Sequence, residues 1–150
     1  MNEWTYNDLM ISDLPDCVGF VYKITCLPSG KSYIGKKLKY FQKTSTKTVT
    51  LKNGTKKKKK IKSLVESDWK SYFSSSIALQ NDVAALGAEN FSREILFFAK
   101  SKGSLSYIEA REQFANKCLE FPDLWYNGII QVKIHRSHVK CLDYSPISAV

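Results

Sequence analysis

The sequence predicts a small α/β domain: an antiparallel central sheet flanked by helices, with a basic insert after its first hairpin. Two β-rich runs joined by a Pro-Ser-Gly turn occupy residues 18–38. Stretches with helical punctuation lie on either side of a run, Phe91 to Ala99, that is apolar on both faces. The composition supports a folded core, because 43% of the 150 residues are hydrophobic and 13% aromatic. One domain is the natural reading of that length. No run approaches the roughly 18 to 20 apolar residues of a membrane span.

Residues 1–16 are polar and mixed and read as an N-terminal arm ending at Leu14-Pro15-Asp16. Val18 to Thr25 is rich in β-branched and aromatic residues and reads as a strand. Leu27-Pro28-Ser29-Gly30 is turn chemistry, and Lys31 to Leu38 is the return strand. From Tyr40 to Lys62 the pattern breaks, apart from an Asn53-Gly54 turn signal. Lys56 to Lys60 are five consecutive lysines whose repulsion opposes compaction, so residues 40–62 are expected to be a mobile insert without a ligand. Ser67-Asp68-Trp69 opens a helix running to about Leu86, with Gly87 as its stop. Phe91 to Ala99 is a central strand. Ser104 or Ser106 caps a second helix reaching about Leu119 before Pro122. Ile129 to Ile134 reads as a short last strand, and residues 135–150 as a C-terminal tail. The domain proper is thus 17–134.

Charge is distributed unevenly. The net charge is +9, yet 13 lysines and no acid lie between Lys31 and Lys62, and the remainder carries −4. A field this polarised points to a polyanion, most often nucleic acid. The alternative is a solvated lysine-rich loop kept for solubility. The N-terminus has neither the basic nor the apolar region of a secretory signal, and the four cysteines form no CxxC pair. Reduced thiols in a cytoplasm are the expectation. His135 and His138, with Cys141 following, have the wrong spacing for a zinc site.

Chemistry concentrates in two places. On the return strand Tyr33, Gly35 and Lys37 share a face. Tyr22 falls on that face whether it pairs with Tyr33 or with Gly35. The glycine leaves room for a ligand to approach, although two tyrosines also pack as a plain cross-strand pair. On the second helix Leu105, Ile108, Phe114, Ala115, Cys118 and Leu119 form one arc, and Glu112 falls inside it. A carboxylate there needs a partner, either a cation or the neighbouring Arg111.

Gly19-Phe20-Val21-Tyr22 followed by Tyr33-Ile34-Gly35 resembles the paired signature of the GIY-YIG nuclease superfamily, its tyrosines eleven residues apart. Glu112, followed fifteen residues later by Asn127 in Trp125-Tyr126-Asn127, resembles the elements that close that module. Trp69-Lys70-Ser71-Tyr72 resembles its first helix, and the likeness spans roughly residues 17–130. Two departures are visible. The first signature reads Phe-Val-Tyr, and Asp68 stands where the family carries an arginine that contacts the scissile phosphate. Lys37 is the candidate replacement, with Lys62 or Lys70 behind it.

The resemblance implies hydrolysis of a DNA phosphodiester, double-stranded DNA above all, by a small mobile-element or phage-type enzyme. Glu112 would hold Mg²⁺ or Mn²⁺. Tyr22 would activate water, with its pKa lowered by Lys37. Tyr72 would relay the proton and Tyr33 would bind the phosphate or the water. Gly35 and Asn127 would shape the site. Lys36, Lys43, Lys47, Lys52, Lys56, Lys57, Lys58, Lys59, Lys60, Lys62 and Lys70 would grip flanking phosphates. The rival reading is a module of the same fold that binds nucleic acid and cleaves weakly or not at all.

Overall fold

The N-terminal segment is part of the sheet. The computed structural model describes residues 3–140 and residue 142. Trp4–Tyr6 (β1) and Leu9–Ile11 (β2) form a tight antiparallel pair, with Asn7 and Asp8 at positive φ in the turn between them. Trp4 is fully buried and its indole N–H donates to the Trp69 carbonyl at 2.7 Å. Residues 4–11 therefore form the edge of the sheet, with Trp4 in the core and Leu9 and Met10 exposed, rather than a free arm. Only three residues long, these strands are too short to register as periodicity.

Gly19–Cys26 (β3) and Ser32–Leu38 (β4) make the expected hairpin, closed by Gly30 at φ +74°. The register places Tyr22 opposite Gly35 and Ile24 opposite Tyr33. After Lys39 the chain continues into a long ribbon, Tyr40–Thr50 (β5) and Lys56–Glu66 (β6), paired from Tyr40 opposite Glu66 to Thr50 opposite Lys56. The Asn53-Gly54 turn is where the sequence placed it, with Asn53 accepting from the Thr55 amide at 3.0 Å. The segment that looked patternless is thus regular β structure, exposed on both faces. Its alternation is hidden because both faces are polar.

One helix does not start at Asp68. Trp69–Ser71 is a single 3₁₀ turn, the chain then runs extended, and the α-helix covers Ile77–Leu86 (α1). Arg93 explains the gap, because its guanidinium donates to the carbonyls of both Lys70 and Tyr72 at 3.0 Å. Those bonds tie residues 70–72 to the Phe91–Ala99 strand, and the chain leaves Tyr72 in an extended conformation. Ser74, at φ +78°, adds a side-chain bond to the Ser76 amide, and Ser76 caps α1. Gly87 stops α1 as expected.

Phe91–Ala99 (β7) is the central strand. The sheet order is β2-β1-β7-β3-β4, with β7 antiparallel to β3 but parallel to β1. The sheet is therefore mixed, not purely antiparallel. Lys102–Ala115 (α2) is capped by Ser101, three residues before the earlier of the two expected caps. It covers one sheet face over Val21, Ile34, Leu105, Ile108 and Cys118. The other face packs Trp4, Phe20, Tyr22, Trp69, Leu79 and Ile95. Trp69 is core. Residues 129–134 form no strand, because the edge of β4 is already met by Trp125, with Tyr126 donating to the Ser32 carbonyl at 2.8 Å. Arg136–Val139 is a 3₁₀ turn against α2, and Cys141 lies outside the described residues. Cys17, Cys26 and Cys118 are buried free thiols; burial pushes Cys17 and Cys118 up to about 11. Among the described residues, no helix is long and apolar enough to cross a membrane.

Candidate active site

The site wraps the outer edge of β4, beyond its contacts with the 124–127 segment. Because β4 ends the sheet, residues from both of its faces meet in one cavity of about 780 Å³. Tyr22 and Tyr33 enter from one side; Lys36, Ser106, Glu109 and Gln113 enter from the α2 side. Ser75 and residues Ile129, Gln131, Val132 and Lys133 complete the wall. Gly35 permits this arrangement. A Cβ there would stand 2.5 Å from the Tyr22 hydroxyl and 2.7 Å from the Tyr33 ring. The two rings lie 6.2 Å apart, and Tyr72 meets Tyr22 edge-on at 5.9 Å.

Asn127 fixes the hairpin from below. Its side chain accepts from the Ile34 amide at 3.1 Å and donates to the Ile34 carbonyl at 2.8 Å. Gln113 donates to the same carbonyl at 2.9 Å. The residue between the two signature positions is thus held from α2 and from the 124–127 segment, which sets where Tyr33 and Gly35 lie.

Electrostatics divide the site. Burial raises the Glu109 carboxyl above its ordinary range, opposed by the charge and backbone N–H of Lys36. Lys36 itself donates to Ser106 at 2.8 Å. Tyr22 is pushed well above 10, first by burial and then by Tyr72 and Tyr33, with Tyr72 also sharing a hydrogen bond. Burial likewise raises Tyr33, while a hydrogen bond with Ser75 works the other way. No cation lowers Tyr22, contrary to the role expected of Lys37. Lys37 is buried, bonds the Asp68 carboxylate at 2.6 Å and lies 3.8 Å over the Tyr72 ring. Its charge is spent behind Tyr72, outside the cavity lining. Asp68 is held below its ordinary range by that bond.

Glu112 does not line the cavity. Its carboxylate accepts from the Arg111 guanidinium at 3.3 Å, the ion pair that the sequence offered as the alternative to a cation. Glu109 and Gln113, one helical turn apart, point there instead. Lys133 also lines the cavity and carried no sequence signal. Lys70 lies outside it, against a smaller pocket with Trp4 and Arg93. Lys43, Lys47, Lys52, Lys56 to Lys60 and Lys62 all belong to the ribbon and its turn.

The family model described as "Putative endonuclease segE, GIY-YIG domain" matches residues 4–130. The chain belongs to this GIY-YIG family. The match begins at Trp4, so it takes in β1 and β2 as well as the signature hairpin, α2 and Asn127. No curated protein and no solved structure matches the chain.

Proposed function

We propose that this GIY-YIG domain is a divalent-metal-dependent endonuclease that hydrolyses phosphodiester bonds of duplex DNA, with Glu109 as its metal-binding carboxylate. One observation carries the reading: a desolvated carboxylate and two tyrosines line the same cavity, which is open enough for a phosphodiester. Family membership supports a nucleic-acid substrate, and the lysine-rich ribbon supports a polyanion.

The donor set suits Mg²⁺ or Mn²⁺. Glu109 is a hard oxygen ligand whose burial is only partly offset by Lys36. Among the described residues no three His, Cys, Asp or Glu side chains cluster, which favours an ion that keeps most of its water. Held by Glu109, such an ion supplies stabilisation of the charge that develops on the leaving oxygen. Tyr22, neutral at pH 7, holds and orients the attacking water by hydrogen bonding, that water's proton leaving to solvent through the open cavity mouth, while Tyr72 hydrogen-bonds Tyr22 from behind. Tyr33, tethered to Ser75, donates to a phosphate oxygen. Lys36 and Lys133 are the cations within the cavity wall and take the place of the absent arginine. A lysine supplies charge there but no bidentate fork.

The Lys37–Asp68 pair favours one rival, a module that binds without cutting, because it neutralises the charge expected to serve the phosphate. Digestion of supercoiled plasmid decides between them. The nuclease reading expects nicked or linear product with Mg²⁺, none with EDTA, and strong loss in Tyr22→Phe. Retarded plasmid that is never cut would establish the rival.

A further inference from the structure

The β5–β6 ribbon carries lysine on both faces, which a flat contact surface does not need. Cross-strand partners share a face. One face holds Lys56, Lys58, Lys60 and Lys62, each opposite a threonine of β5. The other holds Lys43, Lys47, Lys57 and Lys59, with Lys47 directly opposite Lys59. Glu66, at the root, is the one acid in the two strands. Like charges set opposite one another destabilise a ladder, and an isolated two-stranded ribbon has little to offset them. Such a ribbon is poorly placed in water and well placed between two walls of phosphate.

We propose that the ribbon inserts edge-on into the major groove of B-form DNA, so that each face meets one of the two sugar-phosphate strands. This rests on the endonuclease reading and specifies how its substrate is gripped. The groove is about 12 Å wide and admits a two-stranded β-ribbon. The deep, narrow major groove of A-form RNA does not admit side chains. Alternate lysines on one face of β6 stand about 7 Å apart. Consecutive phosphates are spaced on the same order, rising about 3.4 Å each along the axis while winding around it. Eleven residues per strand reach about 37 Å from the root beside Lys37, roughly one helical turn of duplex. The arm therefore grips DNA flanking the cavity.

Two quadruple variants test this: Lys56, Lys58, Lys60 and Lys62 to Gln on one face, and Lys43, Lys47, Lys57 and Lys59 to Gln on the other. Affinity for a labelled duplex several turns long is followed by anisotropy in EDTA between about 50 and 200 mM salt. Thermal melts of both variants confirm that the domain remains folded. Each variant is expected to flatten the log–log salt slope by a similar amount, up to about 3.6 for four lost contacts. Wild type is expected to protect guanine N7, a major-groove atom, from dimethyl sulfate, and each variant to lose that protection. An RNA duplex of the same sequence should show no difference between faces or variants. A slope change confined to one face would overturn insertion in favour of a flat platform. Unchanged slopes in both would reduce the lysines to a solubility device. If the slopes respond but Mg²⁺ never brings about cleavage, the arm stands and the nuclease reading falls.

Discussion

Gly35 sits under the Tyr22 hydroxyl, and the space it leaves is what allows two tyrosines to share one cavity with Glu109. Gly35→Ala would place a methyl group 2.5 Å from that hydroxyl, and Tyr22 is too buried to swing away. The substitution should destabilise the domain by about 1–3 kcal/mol. It should also lower cleavage by about 10²-fold through misplacement of the phenol, read by denaturant melts and single-turnover kinetics. Glu109 makes the opposite trade. Burial raises its carboxyl, so the folded state disfavours the charge. Stability from this group is fully present below the unfolded-state pKa and is lost as pH rises through the raised folded value. Glu109→Gln should therefore melt higher than wild type at pH 7, with the gap closing as pH falls toward about 4. Equal or lower melting at pH 7 would count against a desolvated carboxylate.

At the level of elements, the ribbon and the core differ in kind. β3 and β7 are flanked by strands on both sides, β3 covered on both faces and β7 buried on one with Ser92, Glu94 and Phe97 exposed on the other, whereas β5 and β6 pair only with each other and are exposed along their length. Amide exchange should find residues 40–66 weakly protected without DNA and strongly protected with it, while β3 and β7 remain protected throughout. Strong protection of free ribbon would contradict this. What the sequence revealed follows from range. The hairpin, the Asn-Gly turn, the Gly87 stop and the central strand carry local signals, and they lie where expected. β1 pairs in parallel with β7 across more than eighty residues, and three residues of alternation cannot announce that. The late start of α1 depends on Arg93 taking two carbonyls from another element, which no local pattern encodes. The residues that line the cavity were only partly legible. Tyr22, Tyr33, Gly35 and Asn127 come together, but the carboxylate was sought on the apolar arc of α2. Because the cavity wraps an edge strand instead of lying beneath the helix, it meets the border of that arc, where Glu109 and Gln113 stand.

Across the whole molecule, charge and chemistry are separated in space but joined through one strand. β4 contributes Tyr33 and Lys36 to the cavity, and a single residue, Lys39, leads from it into the ribbon. In the proposed reading the ribbon would hold duplex at a distance while the edge of the sheet presents the reacting groups. In this account the electrostatic surplus serves binding, and the chemistry depends on one carboxylate. The most direct test is plasmid cleavage under Mg²⁺ by Glu109→Ala and Glu112→Ala side by side. Loss of an ion that contributes several kcal/mol to the transition state should cut the Glu109→Ala rate by about 10²–10³-fold. Glu112→Ala should remain within a few-fold of wild type, losing only its contact with Arg111. Full activity in Glu109→Ala, with loss confined to Glu112→Ala, would contradict the account and return the metal to the carboxylate that the sequence spacing first suggested.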